Sequence, residues 1–379
     1  MNISVFTKFL EDYIAFVLRL DKIILTQFKN YLNQSFQFSE RIIGISGRNG
    51  IGKTNLLDAI HYLCFTKSYF TRIDSNNISK GQAGFRLEGD FVLWDHPEQA
   101  ICILRETGRK EFSINDHPYE RFSRHIGHYP CVIIAPDDIQ IITGGSEERR
   151  RFIDTLLSQL DPLYLQQLIT YHKILRQRNA LLRAGGGSIG NNESLMEVLD
   201  EQLLKVGDKV FDRRKEFLIS FLPLVKQVYG EIAEKGAVAA EIINLYYDSE
   251  LMNASFAELL RINRSRDWTT MRTTSGIHRD ELEFALNDQP FKSNASQGQR
   301  KSLLFALKLA EMEVLKRQKG FSPLLLMDDV FEKLDEQRTN NLLHRVCTND
   351  GQVFITDTSS GNIKRHLSSL VKSFEMIEL

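Results

Sequence analysis

The pattern of apolar and polar residues predicts a mixed α/β chain with a helical block in its middle. Short β-branched runs indicate strands near the start, and Ile42–Ser46 is the clearest of them. After Thr54, and again over about 147–235, the apolar residues recur at helical spacing, with a glycine-rich loop predicted at 184–192. A later helix and two very apolar strands are predicted at about 302–318, 324–327 and 353–355.

A glycine-rich segment directly follows the strand Ile42–Ser46. It matches G-x-x-x-x-G-K-[ST] at every fixed position, with the residues Gly47, Arg48, Asn49, Gly50, Ile51, Gly52, Lys53 and Thr54. A preceding strand and a following helix let backbone N–H groups and the helix N-terminus bind phosphate. We expect Lys53 to reach the β- and γ-phosphates of ATP and Thr54 to ligate Mg²⁺ through its hydroxyl. The alternative is a chance glycine-rich turn.

Two adjacent acids, Asp328 and Asp329, end the apolar strand at 324–327. A buried strand of this kind can carry a carboxylate to the phosphate-binding end of a sheet. We therefore expect Asp328 to hold Mg²⁺, directly or through water, and Asp329 to act in catalysis by orienting or deprotonating the attacking water. Acids that merely cap a strand end are the alternative.

The helix before that strand opens with Ser296, Gln297, Gly298 and Gln299. Ser296 is a candidate N-cap, and Gln299 three residues later would complete a weak capping box. The functional interpretation is that this N-terminus and the Ser296 hydroxyl bind a γ-phosphate. In its own subunit Ser296 would lie far from Lys53, so we expect it to act in trans, across a dimer that encloses ATP.

Several of these segments resemble known ATPase motifs. Residues 296–299 resemble the ABC-type signature, and 332–335 resemble its D-loop, with Asp335 as the D-loop aspartate. Within that class the chain resembles the RecF family along nearly its whole length. The matching segments are 25–31, 50–60, 135–138, 144–154, 177–182, 276–280 and 295–299.

The resemblance implies an α/β fold, with an ABC/SMC-like P-loop ATPase lobe and an inserted helical lobe in place of a coiled coil. It divides the chain into 1–145, 146–240 and 241–379, the first and last forming the ATPase lobe. It also implies an ATP-dependent homodimer that binds double-stranded DNA near single-strand gaps and helps RecR- and RecO-type mediators load RecA. Because Asp329 stands where transporters have Glu, we expect slow hydrolysis, and the resemblance implies that DNA stimulates it.

The composition narrows the picture in a few respects. The formal net charge is −1, so a DNA site would have to be a local basic patch. Candidate basic clusters occur at 149–151, 173–178, 205–215 and 261–279, but each could equally be a solvated helix face. The four widely spaced cysteines predict free thiols. No apolar run is long enough for a membrane helix, which predicts a cytoplasmic protein.

Some features leave alternatives open. P-loops also occur in transporter subunits, in small-molecule kinases and in ATP-gated scaffolds with negligible turnover. The long separation of Lys53 from Ser296 argues against a transporter subunit. The signature-like segment argues against a small-molecule kinase. Thr356, Asp357 and Thr358 stand where such ATPases carry a γ-phosphate-sensing histidine. Residues 1–16 precede the usual start of the family and are expected to be absent from the natural protein or dispensable.

Overall fold

The computed structural model describes residues 17–184, 193–233, 241–330 and 336–379, so the expectations for 1–16 and Asp335 lie outside the described residues. The strands are β1 (Leu18–Phe28), β2 (Tyr31–Gln37), β3 (Ile42–Ser46), β4 (Phe85–Leu93), β5 (His96–Leu104), β6 (Lys110–Ile114), β7 (His117–Pro118), β8 (Cys131–Ile134), β9 (Ile243–Asp248), β10 (Glu281–Leu286), β11 (Gln289–Pro290), β12 (Leu324–Met327), β13 (Val353–Asp357) and β14 (Glu375–Glu378).

The helices of the described residues follow in chain order. They are α1 (Lys53–Phe65), α2 (Gln140–Thr143), α3 (Ser146–Leu160), α4 (Pro162–Ala184), α5 (Glu193–Ile232), α6 (Phe256–Ile262), α7 (Arg264–Thr270), α8 (Phe291–Asn294), α9 (Gln297–Lys319), α10 (Glu336–Cys347) and α11 (Ser360–Leu367). None of them is long and apolar enough to cross a membrane.

The chain divides into two compact units, one of residues 1–137 with 308–379 and the other of residues 138–307. The sequence-based divisions at 145/146 and 240/241 therefore differ from the divisions in the structure. The difference has a local cause, because β9 and β10 pair with each other and β9 packs on the helix α5. Residues 241–307 thus belong with the helical segment.

In the first unit, a five-stranded parallel sheet has the order β14-β3-β13-β12-β8. Every residue of β3, β12 and β13 is buried, as expected for parallel strands covered on both faces. The same unit holds an antiparallel sheet in the order β2-β1-β4-β5-β6-β7. Buried and half-buried residues largely alternate along β1, since only one face of this sheet meets the core.

Two buried arginines organise the second unit, in which α4 packs against α5. Arg178 is fully buried and pairs with Asp200 and Asp267 at 2.6 and 2.7 Å. Arg214 pairs with Asp154 and Asp280 at 2.8 and 2.9 Å. Removing one partner from such a pair leaves an uncompensated buried charge. These arginines therefore have a structural role.

We expect the stability of the fold to fall as the pH drops from about 7 to 5. Burial lowers the pKa of His61, His125 and His278 to about 4. Each stays neutral in the folded state while the unfolded state takes up a proton below about pH 6.5. The stability is thus complete above pH ~6.5 and is lost as the pH falls towards 4, by up to about 1.4 kcal/mol per pH unit and histidine.

Urea unfolding at a series of pH values measures this slope. His125→Gln retains a donor for the Leu63 carbonyl, which His125 Nε2 contacts at 2.7 Å, and should reduce the slope. His117→Gln, at an exposed position, should leave it unchanged. A pH-independent unfolding free energy between pH 7 and 5 would contradict the expectation.

Candidate functional site

The candidate site lies where three neighbouring parallel strands of the first unit end. The phosphate loop 47–54 follows β3, Asp328 and Asp329 follow β12, and Thr356 lies near the end of β13. Since β13 pairs with both β3 and β12, the carboxyl ends of these strands come together. In open α/β sheets this edge is where ligands bind.

The phosphate loop is folded tightly around the side chain of Lys53. Its Nζ atom donates to the carbonyl oxygens of Gly47 at 2.8 Å and Arg48 at 3.4 Å, and Lys53 is only 4% exposed. The helix α1 begins at Lys53 and has no side-chain cap, so its first N–H groups are available to an anion. Gly52 has φ +127°, a conformation that other residues rarely adopt.

Two residues of the β1–β2 turn hold the loop from behind, a role that sequence reasoning missed. Asn30 donates its side-chain amide to the Ile51 carbonyl at 2.7 Å, and the Tyr31 hydroxyl donates to the Gly52 carbonyl at 3.1 Å. A Cβ atom at Gly52 would meet both side chains, at 2.6 and 2.7 Å. The approach of this turn therefore gives a second reason for glycine there. In the sequence, Asn30 and Tyr31 were marked only by the resemblance of the segment 25–31 to the RecF family.

The same turn is tied to α1 by a buried ion pair. Lys29 Nζ lies 2.5 Å from the Asp58 carboxylate, which is fully buried. Asp58 also accepts hydrogen bonds from the Ser68 hydroxyl and the Tyr69 N–H, both at 2.7 Å. The turn, the helix and the segment after the helix are thus joined by one carboxylate.

The structure brings the Thr54 hydroxyl next to the Asp328 carboxylate. The Thr54 hydroxyl donates to the Asp328 carboxylate, at 2.9 Å to Oδ2. The Thr356 hydroxyl donates to Asp328 Oδ1 at 2.8 Å and accepts the Asp329 N–H at 2.9 Å. Burial raises the pKa of Asp328, while these two hydroxyls and the charge of Lys53 act to lower it. Thr356 therefore contacts the Asp328 carboxylate and the Asp329 backbone, whereas the sequence had indicated only that it occupies the histidine position.

Asp329 adopts a left-handed backbone conformation, with φ +45°. This conformation is uncommon for residues other than glycine, although Asp and Asn tolerate it better than most. It turns the chain sharply at the end of β12. The backbone of Asp329 is therefore fixed by the Thr356 hydrogen bond at a point where the buried sheet meets the site.

The signature-like segment forms the capping box that its spacing predicted. The Ser296 N–H donates to Gln299 Oε1 at 2.7 Å, and the Gln299 N–H donates to Ser296 Oγ at 3.2 Å. Gln297 begins the helix α9, and the Gly298 carbonyl accepts a hydrogen bond from the Ser302 hydroxyl at 3.0 Å. Ser296 and Gln297 are exposed, so this helix start is accessible.

Several of the basic residues singled out in the sequence are held by acids. Arg149 makes a two-pronged pair with Glu281, at 2.7 and 3.0 Å, and Arg151 pairs with Glu147 and Glu148. Arg150 donates to the Asp280 carbonyl at 2.5 Å. Together with the buried Arg178 and Arg214, these contacts support the structural interpretation for these members of the clusters at 149–151, 173–178 and 205–215.

Comparisons with known proteins show which family the chain belongs to. Residues 22–216 match a family model described as an AAA domain. The chain is 39% identical to a Flavobacterium johnsoniae protein named "DNA replication and repair protein RecF", over 96% of this chain and 100% of that one. It is 40% identical to a protein of the same name from Bacteroides thetaiotaomicron, over 95% and 96% of the two chains.

Solved structures give the same result at the level of the fold. A structure titled "Structure of the recombination mediator protein RecF-ATP in RecFOR pathway" aligns with a TM-score of 0.83 and 28% identity, covering 92% of this chain and 95% of that chain. An Smc head domain from Pyrococcus furiosus aligns with a TM-score of 0.53 and 14% identity over 95% and 93%. The fold and the phosphate loop define a P-loop ATPase of the ABC/SMC-like class. Within that class, the chain belongs to the RecF family.

Proposed function

We propose that this protein is an ATP-operated, DNA-binding switch of recombinational gap repair. The observation that carries the proposal is the cluster of Lys53, Thr54, Asp328 and Thr356 at the mouth of the phosphate loop. The relatives named for DNA replication and repair, and the related structure titled as a RecF–ATP complex, support the choice of ATP and of DNA.

In this proposal the residues at 47–54 bind the triphosphate. Their backbone N–H groups and the start of α1 bind the phosphate oxygens, and the Lys53 amine exchanges its carbonyl contacts for the β- and γ-phosphates. Asn30 and Tyr31 keep the loop carbonyls turned away from the phosphates.

The oxygen atoms of Thr54 and Asp328 fit a Mg²⁺ ion. Both are hard ligands, and they already lie 2.9 Å apart in a partly buried position. Mg²⁺ at this position would neutralise part of the phosphate charge. Asp329 would orient or deprotonate the water that attacks the γ-phosphate, with its backbone held by Thr356. An aspartate is one methylene shorter than glutamate, which fits slow turnover, and in this proposal DNA stimulates it.

The second half of the site would come from a second copy of this chain. Ser296, Gln297, Gly298 and Gln299 would bind the γ-phosphate held by the partner through the start of α9, and Asp335 would be the D-loop aspartate. ATP would then favour an ATP-dependent homodimer on duplex DNA near single-strand gaps. By analogy with the RecFOR pathway named for the related structure, RecO- and RecR-type mediators and RecA would be its partners.

Ser296→Arg should bind ATP normally as a monomer but should not dimerise with it. The larger arginine side chain would fill the space that the partner's phosphate must enter, and we expect about 30-fold weaker dimerisation, since overpacking a close contact costs roughly 1–3 kcal/mol. Sedimentation with and without ATP measures this. Ser293→Arg, at a nearby exposed position, is the matched control and should dimerise normally. A normal ATP-dependent dimer in Ser296→Arg would rule out the trans arrangement.

A further inference from the structure

The basic residues of the second unit fall into two groups that differ in their surroundings. Those of the first group, such as Arg149, Arg178 and Arg214, are held by carboxylates. Those of the second group are exposed and have no ion-pair partner among the described residues; Lys205, Lys209 and Arg261 are examples. Five members of this group lie on α4 or on and just after α7, and we call these five the basic face: Lys173, Arg176, Arg183, Arg266 and Arg272.

Three members of the basic face share one side of α4. Lys173, Arg176 and Arg183 are spaced at i, i+3 and i+10, which places them along one stripe of the helix. The helix contains no Asp or Glu in its 23 residues. A solvated helix face normally mixes both signs of charge, so a stripe with bases alone is unusual. At 1.5 Å per residue, it extends over about 15 Å.

The other two members come from α7 and the residues after it. The buried pair of Arg178 with Asp267 joins α4 to α7. Asn179 Oδ1 accepts the Thr273 N–H at 2.7 Å, and Asn179 lies one helical turn from both Arg176 and Arg183. The segment that carries Arg272 is therefore fixed beside the basic stripe. The buried arginine thus serves to assemble an exposed surface of the same sign.

We propose that the basic face binds the phosphate backbone of duplex DNA, an inference that rests on the proposed function and gives it a surface. Unpaired Lys and Arg residues bind phosphates by releasing condensed counterions. The tyrosines of α4, Tyr164 and Tyr171, are buried and cannot stack on bases. The chemistry therefore fits the regularly spaced phosphates of a duplex rather than unstacked single strands.

The test is the salt dependence of duplex binding by the full chain with ATP and Mg²⁺. In the triple variant Lys173→Gln, Arg176→Gln, Arg183→Gln, we expect the slope of log affinity against log salt to fall by about 2.7 in magnitude, because each phosphate contact contributes about 0.9. At low salt we expect at least tenfold weaker binding. ATP-dependent dimerisation should be unchanged, which reports that the variant folds.

The matched control removes three charges that have acidic partners. Arg105 and Arg109 pair with Glu111, and Arg151 pairs with Glu147 and Glu148. The variant Arg105→Gln, Arg109→Gln, Arg151→Gln has the same net charge as the test variant and should keep the wild-type slope.

Four outcomes would overturn the inference. An unchanged slope in the test variant, with normal binding by the wild type, refutes the basic face alone. An equal loss of duplex affinity in the test and control variants would mean that net charge alone explains the effect. A wild-type protein that does not bind duplex DNA refutes the proposed function and the basic face together.

A poly-glutamate peptide serves as a parallel probe, and its binding should be equally weak for the wild type and both variants. A loss of peptide binding in the test variant, without a change in the duplex slope, would assign the surface to an acidic protein.

Discussion

Replacing Lys53 by alanine should weaken ATP binding by about 100-fold and abolish detectable turnover. The Lys53 amine lies inside the phosphate loop, where it contacts the Gly47 and Arg48 carbonyl oxygens at 2.8 and 3.4 Å, and we expect it to bind the phosphates of ATP. Charge-assisted hydrogen bonds to a phosphate contribute roughly 1.5–3 kcal/mol, which corresponds to the expected loss. Calorimetric titration with ATP measures it directly.

The control for this variant is Lys80→Ala, which removes an exposed lysine of the same unit and should bind ATP as the wild type does. Thermal unfolding provides a second readout, because ATP should raise the transition temperature of the wild type and not that of Lys53→Ala. Unchanged ATP affinity in Lys53→Ala would refute the assignment of the phosphate loop.

Asp329→Asn should lower turnover by at least about 100-fold, the usual contribution of a positioned general base. ATP affinity should stay within a few-fold of the wild type, since the variant retains the loop, Lys53 and Asp328. The ATP-bound dimer should therefore persist much longer. Asparagine is the appropriate replacement because it tolerates the left-handed conformation at φ +45°, so that the Thr356 hydrogen bond can remain.

Asp95→Asn is a matched control, because Asp95 is an exposed aspartate in the β4–β5 turn with φ +61°. It makes the same chemical change in the same backbone conformation and should leave turnover unchanged. Normal turnover in Asp329→Asn would exclude Asp329 as the base. A wild type with no turnover at all would favour the ATP-gated scaffold.

Much of the site was predictable because its signals are local. The loop at 47–54 is contiguous in the chain, and Asp328 directly follows an apolar strand. The Ser296–Gln299 capping box needs only a spacing of three residues. Buried strands of the sheet were likewise indicated by short, wholly apolar runs such as Leu324–Met327.

The rest depends on which strands become neighbours. Thr356 reaches Asp328 only because β13 lies beside β12, and Asn30 reaches Ile51 only because the β1–β2 turn packs behind the loop. The sequence-based domain boundaries differ from those of the structure for a similar reason, because the packing of β9 on α5 joins elements that are separate in the chain. Charge alone could not separate the paired Arg149 from the unpaired Arg176, because the carboxylate partner of Arg149 is 132 residues away.

The central claim is that ATP converts this chain into a dimer that acts on DNA. Light scattering of the full chain tests it most directly, with and without ATP and Mg²⁺, in the presence of a gapped duplex and of a plain duplex. The account predicts that the protein mass doubles only with ATP and that DNA raises the rate of hydrolysis, more so for the gapped duplex. A mass that stays monomeric with ATP and a turnover that ignores both DNAs would contradict it.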